Sequence, residues 1–356
     1  MSQLRTNAIL DASGGTTATV NGIPLRPGVL DPENRIINGA FDFWQRGTSF
    51  TTDGYSADRF GQFRNSATVT TSRQAFTLGD TLGNNSPTYF LRQTVSGASG
   101  VGNYALVTQS IEGVRSYAGQ TITVLGWARR SSGSGNMAID AEQSFGSGGS
   151  PSSRVIAISP TTITLTGSWA PFAAVLTIPS ITGKTLGTNG NDYLQIDFWT
   201  SAGSNLNAST NSLGLQTIGV DLWGVHIKQG THTTSAADLY KQPELGPELA
   251  RCQRYYTIID HSVSAAIFGV WKATSPFNMQ NISYFTQTMR AAPSIANFGS
   301  ETWYNVSTQA YSNGLITSFV ANNSFVQTSM EPSPATSASG YEAIFARFKF
   351  SADAEL

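Results

Sequence analysis

The chain has 356 residues, 40% of them apolar, 11% aromatic and only 12% charged, with a net charge of −1. Rings at that density with so little charge exclude a disordered chain, and the balanced charge excludes a phosphate-tracking nucleic-acid surface. A single cysteine, Cys252, excludes internal disulfides and Cys-based metal clusters. Charged content about half the ~25% of ordinary soluble proteins leaves Ser, Thr, Asn, Gln and Gly to make the polar faces. Such faces suit neutral ligands such as sugars, or the packing of identical subunits. No apolar h-region opens the chain and no run approaches the ~20 apolar residues of a span, so neither a Sec-type signal nor membrane insertion is expected.

Residues 1–33 have their own texture. Ala8-Ile9-Leu10 is the one clear apolar patch before Ile23, Gly14-Gly15 interrupts it, and Pro24, Pro27, Gly28 and Pro32 oppose a helix or a central strand. The reading is an extended arm, either a loose terminus or an anchor that orders on a partner. Residues 34–63 then carry Phe41, Phe43, Trp44, Tyr55, Phe60 and Phe63 in quick succession. Each ring removes about 150–250 Å² from water when buried, so this stretch is expected to enter the core.

Alternation of apolar and polar residues predicts strands at 67–71, 88–95, 103–111, 120–130, 137–143, 170–178, 193–200 and 219–228, and a pair at 155–158 and 161–164. The 120–130 strand is apolar on both faces, as a strand central to two layers should be. Gly-rich loops fall at 79–87 and 145–153. Roughly ten strands over 36–230 suit a jelly-roll sandwich. At 235–256 the pattern turns helical: Pro247 suits a first helical turn, Glu248 follows it, and Leu249, Cys252, Tyr255 and Tyr256 share a face. Alternation returns at 265–271, 282–288, 294–298, 315–320, 325–328 and 343–350. The fold class is therefore all-β: a jelly-roll β-sandwich at 34–234, a helical joint at 235–256, and a second, smaller β-sandwich domain at 257–356.

Catalytic signals are poor. His226, His232 and His261 lack metal spacing, and His226 lies on a strand as a packed or surface residue. No Gly-x-Ser-x-Gly elbow occurs in a strand–turn–helix context. Thr182-Gly183-Lys184-Thr185 lacks the upstream glycine of a phosphate loop, where Ile178 stands. Asp140 and Glu142, two apart on one strand face and about 6.5–7 Å apart at Cα, fall near the ~6.5–9.5 Å of inverting glycosidases, with Asp197 possible across the sheet. A hydrogen-bonded sheet face is the stronger reading. No catalytic residue, cofactor or metal is assigned. Asp42, Asp53 and Asp58 could supply calcium oxygens but lack an EF-type spacing. The better candidate is a ligand face. In the strand 193–199, Leu194, Ile196 and Phe198 point to the core, leaving Tyr193, Gln195, Asp197 and Trp199 outward. An exposed ring beside amide and carboxyl groups holds sugars, unless a loop or neighbouring subunit covers Trp199. Trp44, Trp127 and Trp223 are read as core.

Several motifs together resemble tailed-bacteriophage fibre proteins: NRIINGAFDFWQRG from Asn34 to Gly47, GYSADRF from Gly54 to Phe60, GTNGNDYL from Gly187 to Leu194, VDLWGV from Val220 to Val225, ELARCQRYY from Glu248 to Tyr256, and SADAEL from Ser351 to Leu356. The resemblance spans nearly the whole chain. It implies a virion component, usually trimeric, whose larger domain is similar to jelly-roll carbohydrate-binding modules, some of which hold calcium. It transfers no catalytic residue. The implied function is a tail or head fibre anchored to other virion proteins through residues 1–33 and contacting host surface glycans. The alternative is a purely structural decoration or connector of the virion.

Overall fold

A computed structural model describes residues 34–260, 278–298, 310–333 and 349–356, with short strands at 19–20, 23–24, 272–275, 301–305 and 344–347. Two of these, β1 (Thr19–Val20) and β2 (Ile23–Pro24), pair only with each other. The rest of the predicted arm lies outside the described residues.

Twelve strands build the body: β3 (Ser49–Phe50), β4 (Gly54–Tyr55), β5 (Gly61–Asn65), β6 (Thr68–Ala75), β7 (Tyr89–Ser96), β8 (Tyr104–Glu112), β9 (Thr121–Gly133), β10 (Asn136–Ser144), β11 (Val155–Thr164), β12 (Ala170–Thr177), β13 (Tyr193–Ala202) and β14 (Ile218–Gln229). They form two six-stranded antiparallel sheets. The front sheet has the order β11-β10-β13-β8-β5-β4, and the back sheet β12-β9-β14-β7-β6-β3. The jelly-roll expectation holds, because strand periodicity puts alternate apolar side chains between the sheets. From the front come Met137, Ile139 and Ala141 of β10 and Leu194, Ile196 and Phe198 of β13; from the back come Ile122 and Val124 of β9 and Phe172, Ala174 and Leu176 of β12. Each large aliphatic or aromatic side chain so buried contributes about 1.5–3 kcal/mol. Phe41, Trp44 and Phe60 join this core, as the ring density of 34–63 predicts.

The strand β9 is apolar on both faces for a visible reason. Leu125 and Trp127 point away from the main core into a second cluster with Phe90, Trp223, Ala236, Ala237 and Tyr240. The 3-10 turn Thr234–Leu239 supplies part of that cover. Here β14 slips register against β9 between Trp223 and His226. Gly224 takes a left-handed φ of +65°, and a Cβ there would lie 2.8 Å from the Trp127 ring, so only glycine fits. His226 is buried beside this slip, its Nδ1 2.8 Å from the Gly224 carbonyl oxygen.

One predicted pair is a single strand. Residues 155–158 and 161–164 both belong to β11, which runs along β10 with two register shifts. Ala157 and Ser159 adopt φ of 57° and 51°, bulging the strand without reversing it.

The joint is the helix α2 (Leu245–Gln253), two residues earlier than Pro247 implied. Pro247 sits in its first turn, where a missing N–H breaks no helical bond. The helix buries Cys252, which with Tyr255 meets Ile37 and Phe43. Glu248 Oε1 accepts the Asn38 backbone N–H at 2.5 Å, and Arg251 pairs with Glu248 Oε2 at 2.9 Å. Two separate sequence motifs thus meet: NRIING docks onto ELARCQRYY.

Beyond the helix, β15 (Tyr256–Asp260) is followed by β16 (Lys272–Ser275), β17 (Asn278–Tyr284), β18 (Ser294–Asn297), β19 (Glu301–Asn305), β20 (Ala310–Ala321), β21 (Phe325–Ser333), β22 (Ile344–Arg347) and β23 (Lys349–Asp353). They form a three-stranded sheet, β15-β23-β18, and a six-stranded sheet, β16-β17-β21-β20-β19-β22. Pattern reading missed β15, β16 and β19 and took β22 and β23 as one strand. The strand expected at 265–271 lies outside the described residues.

Candidate functional site

The outer face of the front sheet is set by register. Four rows of side chains cross it, each row about 6.5–7 Å from the next along the strands. One row is Ala138, Trp199, Leu106 and Phe63. The next is Asp140, Asp197, Thr108 and Gly61. Then come Glu142, Gln195 and Ser110, and last Ser144, Tyr193 and Glu112. Two polar rows therefore lie between flanking rows that carry rings.

The polar rows are internally bonded. The Trp199 indole N–H donates to Asp140 Oδ1 at 2.7 Å. Gln195 Nε2 donates to Asp197 Oδ1 at 2.7 Å, and Ser110 Oγ donates to Gln195 Oε1 at 3.2 Å. Arg154 pairs with Glu142. Of the three buried carboxyl groups, Glu142 is the one that pairs with the Arg154 guanidinium. Burial, then the facing Asp197 carboxylate, raises Asp140 to about 8, against the pull of the Trp199 donor. Burial, then Glu142, raises Asp197 to about 7. At neutral pH the Asp140–Asp197 pair retains a proton, so the face presents carboxylic O–H as well as carboxylate and amide groups.

Tyr193, Gln195, Asp197 and Trp199 all lie on the outer face, as alternation predicts. Trp199, however, is not a bare ring. It is 8% exposed, packed with Leu106, Ala138 and Ala202 and covered by Leu206 and Leu213. The cover comes from the segment holding the 3-10 turn Ser204–Leu206 and the short helix α1 (Asn207–Thr210). Tyr104 meets Trp199 edge-on at 5.8 Å. Asp197 is also buried, while Tyr193 and Gln195 are half-buried. Phe63 is the rim ring most open to solvent. Sequence reasoning read Phe63 into the core and missed Thr108, Ser110 and Arg154: cross-strand register brings Phe63, Thr108 and Ser110 to this face, and Arg154, just before β11, reaches it by pairing with Glu142.

The other sequence candidates disperse. Asp42 accepts from Gln242 Nε2 at 2.7 Å, Asp58 accepts from the Gln45 backbone N–H at 2.9 Å, and Asp53 lies 3.6 Å from Arg64. Among the described residues, no three His, Cys, Asp or Glu side chains converge as a metal site, and no helix is long and apolar enough to cross a membrane.

No protein-family model matches this sequence, and no curated protein matches it. Among solved structures, the chain is similar to the enzymatically active domain of bacteriophage CBA120 tailspike protein 4, at 14% identity and a TM-score of 0.30, over 55% of this chain and 21% of the tailspike. It is also similar to a family 11 carbohydrate-binding module of Clostridium thermocellum, at 11% identity and a TM-score of 0.30, over 52% of this chain and 96% of the module. A xylan-binding domain from Paenibacillus barcinonensis has 12% identity and a TM-score of 0.29, over 52% of this chain and 94% of that domain.

Proposed function

We propose that this chain is a non-enzymatic virion fibre, of tail or head, that binds host surface glycans on the outer face of its front sheet. The observation that carries the reading is the row order. Hydrogen-bonding groups centred on Asp197 and Gln195 form a floor between ring-bearing rows containing Tyr193 and Trp199. A sugar presents hydroxyls to such a floor and apolar C–H faces to such rims. Tyr193 and Gln195 make the accessible contacts, and Trp199 orients Asp140 from the neighbouring row. Residues 1–33 serve as the anchor to other virion proteins, and the fibre is a homotrimer. The motifs shared with phage fibre proteins support these last two points.

The test is a glycan array with the purified chain, repeated with Gln195→Ala, Tyr193→Ala and Trp199→Ala. A glycan signal that falls at least tenfold with the first two supports the site; retained binding places it elsewhere. Blocking of phage adsorption by the purified protein supports the receptor role. The second reading, a structural decoration or connector, is favoured by the cover over Trp199, and absence of both binding and blocking selects it. Light scattering decides the trimer.

A further inference from the structure

The back sheet carries a differently built cavity on its outer face, of about 490 Å³, within the range of small-ligand sites. Trp169, Phe76, Phe90, Arg129, Asp80 and Ser168 line it. Trp169 stacks on Phe76 with centroids 5.3 Å apart and meets Phe90 edge-on at 5.3 Å. Two neighbouring rings thus hold the indole in place while it remains partly exposed. The Arg129 guanidinium lies 4.9 Å from the Trp169 centroid.

Charge is distributed unevenly here. Asp221 is fully buried and accepts from Arg92 Nε at 2.6 Å, from Arg92 Nη2 at 2.8 Å and from Arg129 Nε at 2.7 Å. Two guanidiniums share one carboxylate, leaving one positive charge in excess. Among the described residues, Arg129 hydrogen-bonds only through Nε, and 29% of its side chain is exposed. Its two Nη groups are a fork ready for a carboxylate. Asp80 is exposed on the same lining. It accepts the Thr77 backbone N–H at 3.0 Å, and its remaining lone pairs suit hydroxyl donors. A dense polyanion would be repelled by Asp80. A ring with one carboxylate and several hydroxyls satisfies both groups.

We infer that this cavity binds a hexuronate or similar acidic sugar unit of a polysaccharide, with the sugar ring on Trp169, its carboxylate on the Arg129 Nη groups and its hydroxyls on Asp80. The site shares no residue with the front-sheet face and stands or falls separately from it. Titration calorimetry of the full chain with oligogalacturonate, oligoglucuronate and sialyl oligosaccharides tests it, alongside methyl-esterified oligogalacturonate. At least one acidic probe binds, and where it is oligogalacturonate the neutral ester binds at least tenfold more weakly. Trp169→Ala weakens binding at least tenfold. Arg129→Lys, which keeps a charge beside Asp221 but loses the fork, weakens the acidic probe while unfolding at a similar temperature. Gln195→Ala on the front face leaves it unchanged. Equal affinity for acid and ester, full binding by folded Trp169→Ala, loss of binding in Gln195→Ala, or no binding of any acidic probe would each overturn the assignment.

Discussion

Glu355, the penultimate residue, holds the sandwich to the far end of the chain. Its carboxylate pairs with Arg59 and lies 3.3 Å from Arg46 Nη2. Arg59 is 1% exposed, stacks over Tyr255 with its guanidinium 3.6 Å from the ring centroid, and donates through Nη2 to the Ser110 carbonyl oxygen. Glu355 is itself only 5% exposed at its side chain, so both charges are out of water. Burial penalises the Arg59 cation, moving its pKa down, yet a guanidinium stays protonated. Glu355→Gln keeps the shape but strips Arg59 of its counter-charge. Breaking one side of a buried pair costs about 3–5 kcal/mol, a large part of the ~5–15 kcal/mol that holds a typical domain folded. Asp353→Asn is the control. That carboxylate also pairs with Arg46, at 3.0 Å, but is 36% exposed, and an exposed pair contributes ~1 kcal/mol or less. Urea unfolding followed by tryptophan fluorescence should rank the two variants in that order. Added salt should not shrink the Glu355→Gln loss, because a buried pair is poorly screened. A Glu355→Gln loss below ~1 kcal/mol, or no larger than that of Asp353→Asn, would refute the buried-charge account.

The raised Asp140 and Asp197 make stability depend on pH. The folded chain holds a proton that the unfolded chain releases near 3.8, so stability is full below that value and falls as pH rises towards about 8. The slope is about 1.4 kcal/mol per pH unit for each retained proton. Asp140→Asn should flatten it, measured as urea midpoints between pH 5 and 8. An unaltered slope would count against a shared proton. Asp221→Ala leaves two guanidiniums facing one another. Since Arg92 and Arg129 are 28% and 29% exposed at their side chains, the loss should sit near the lower end of the buried-pair range, at about 3 kcal/mol, read by calorimetric melting.

Much of the sandwich is legible in the residues because strand periodicity leaves a local mark. Leu194, Ile196 and Phe198 alternate with Tyr193, Gln195, Asp197 and Trp199, and that alone assigns each to a face. It also marks β9 as covered on both sides; helical spacing marks 235–256, of which 245–253 is the helix, with Cys252 buried. Bulges are less legible. Nothing in 155–164 distinguishes one irregular strand from two regular ones: Ser159-Pro160 favours a turn, yet the positive φ of Ala157 and Ser159 only bulges the strand.

What the residues determined by themselves was which side chains face outward; what tertiary structure decided was the company each keeps there. Asp140 meets Asp197 only through the β10–β13 register. Leu206 and Leu213 cover Trp199 only because the chain after β13 folds back over it. Arg59 and Glu355 approach only because β23 pairs beside β15. Periodicity is a property of neighbouring residues, whereas burial and charge pairing are settled by contacts between segments far apart in the chain.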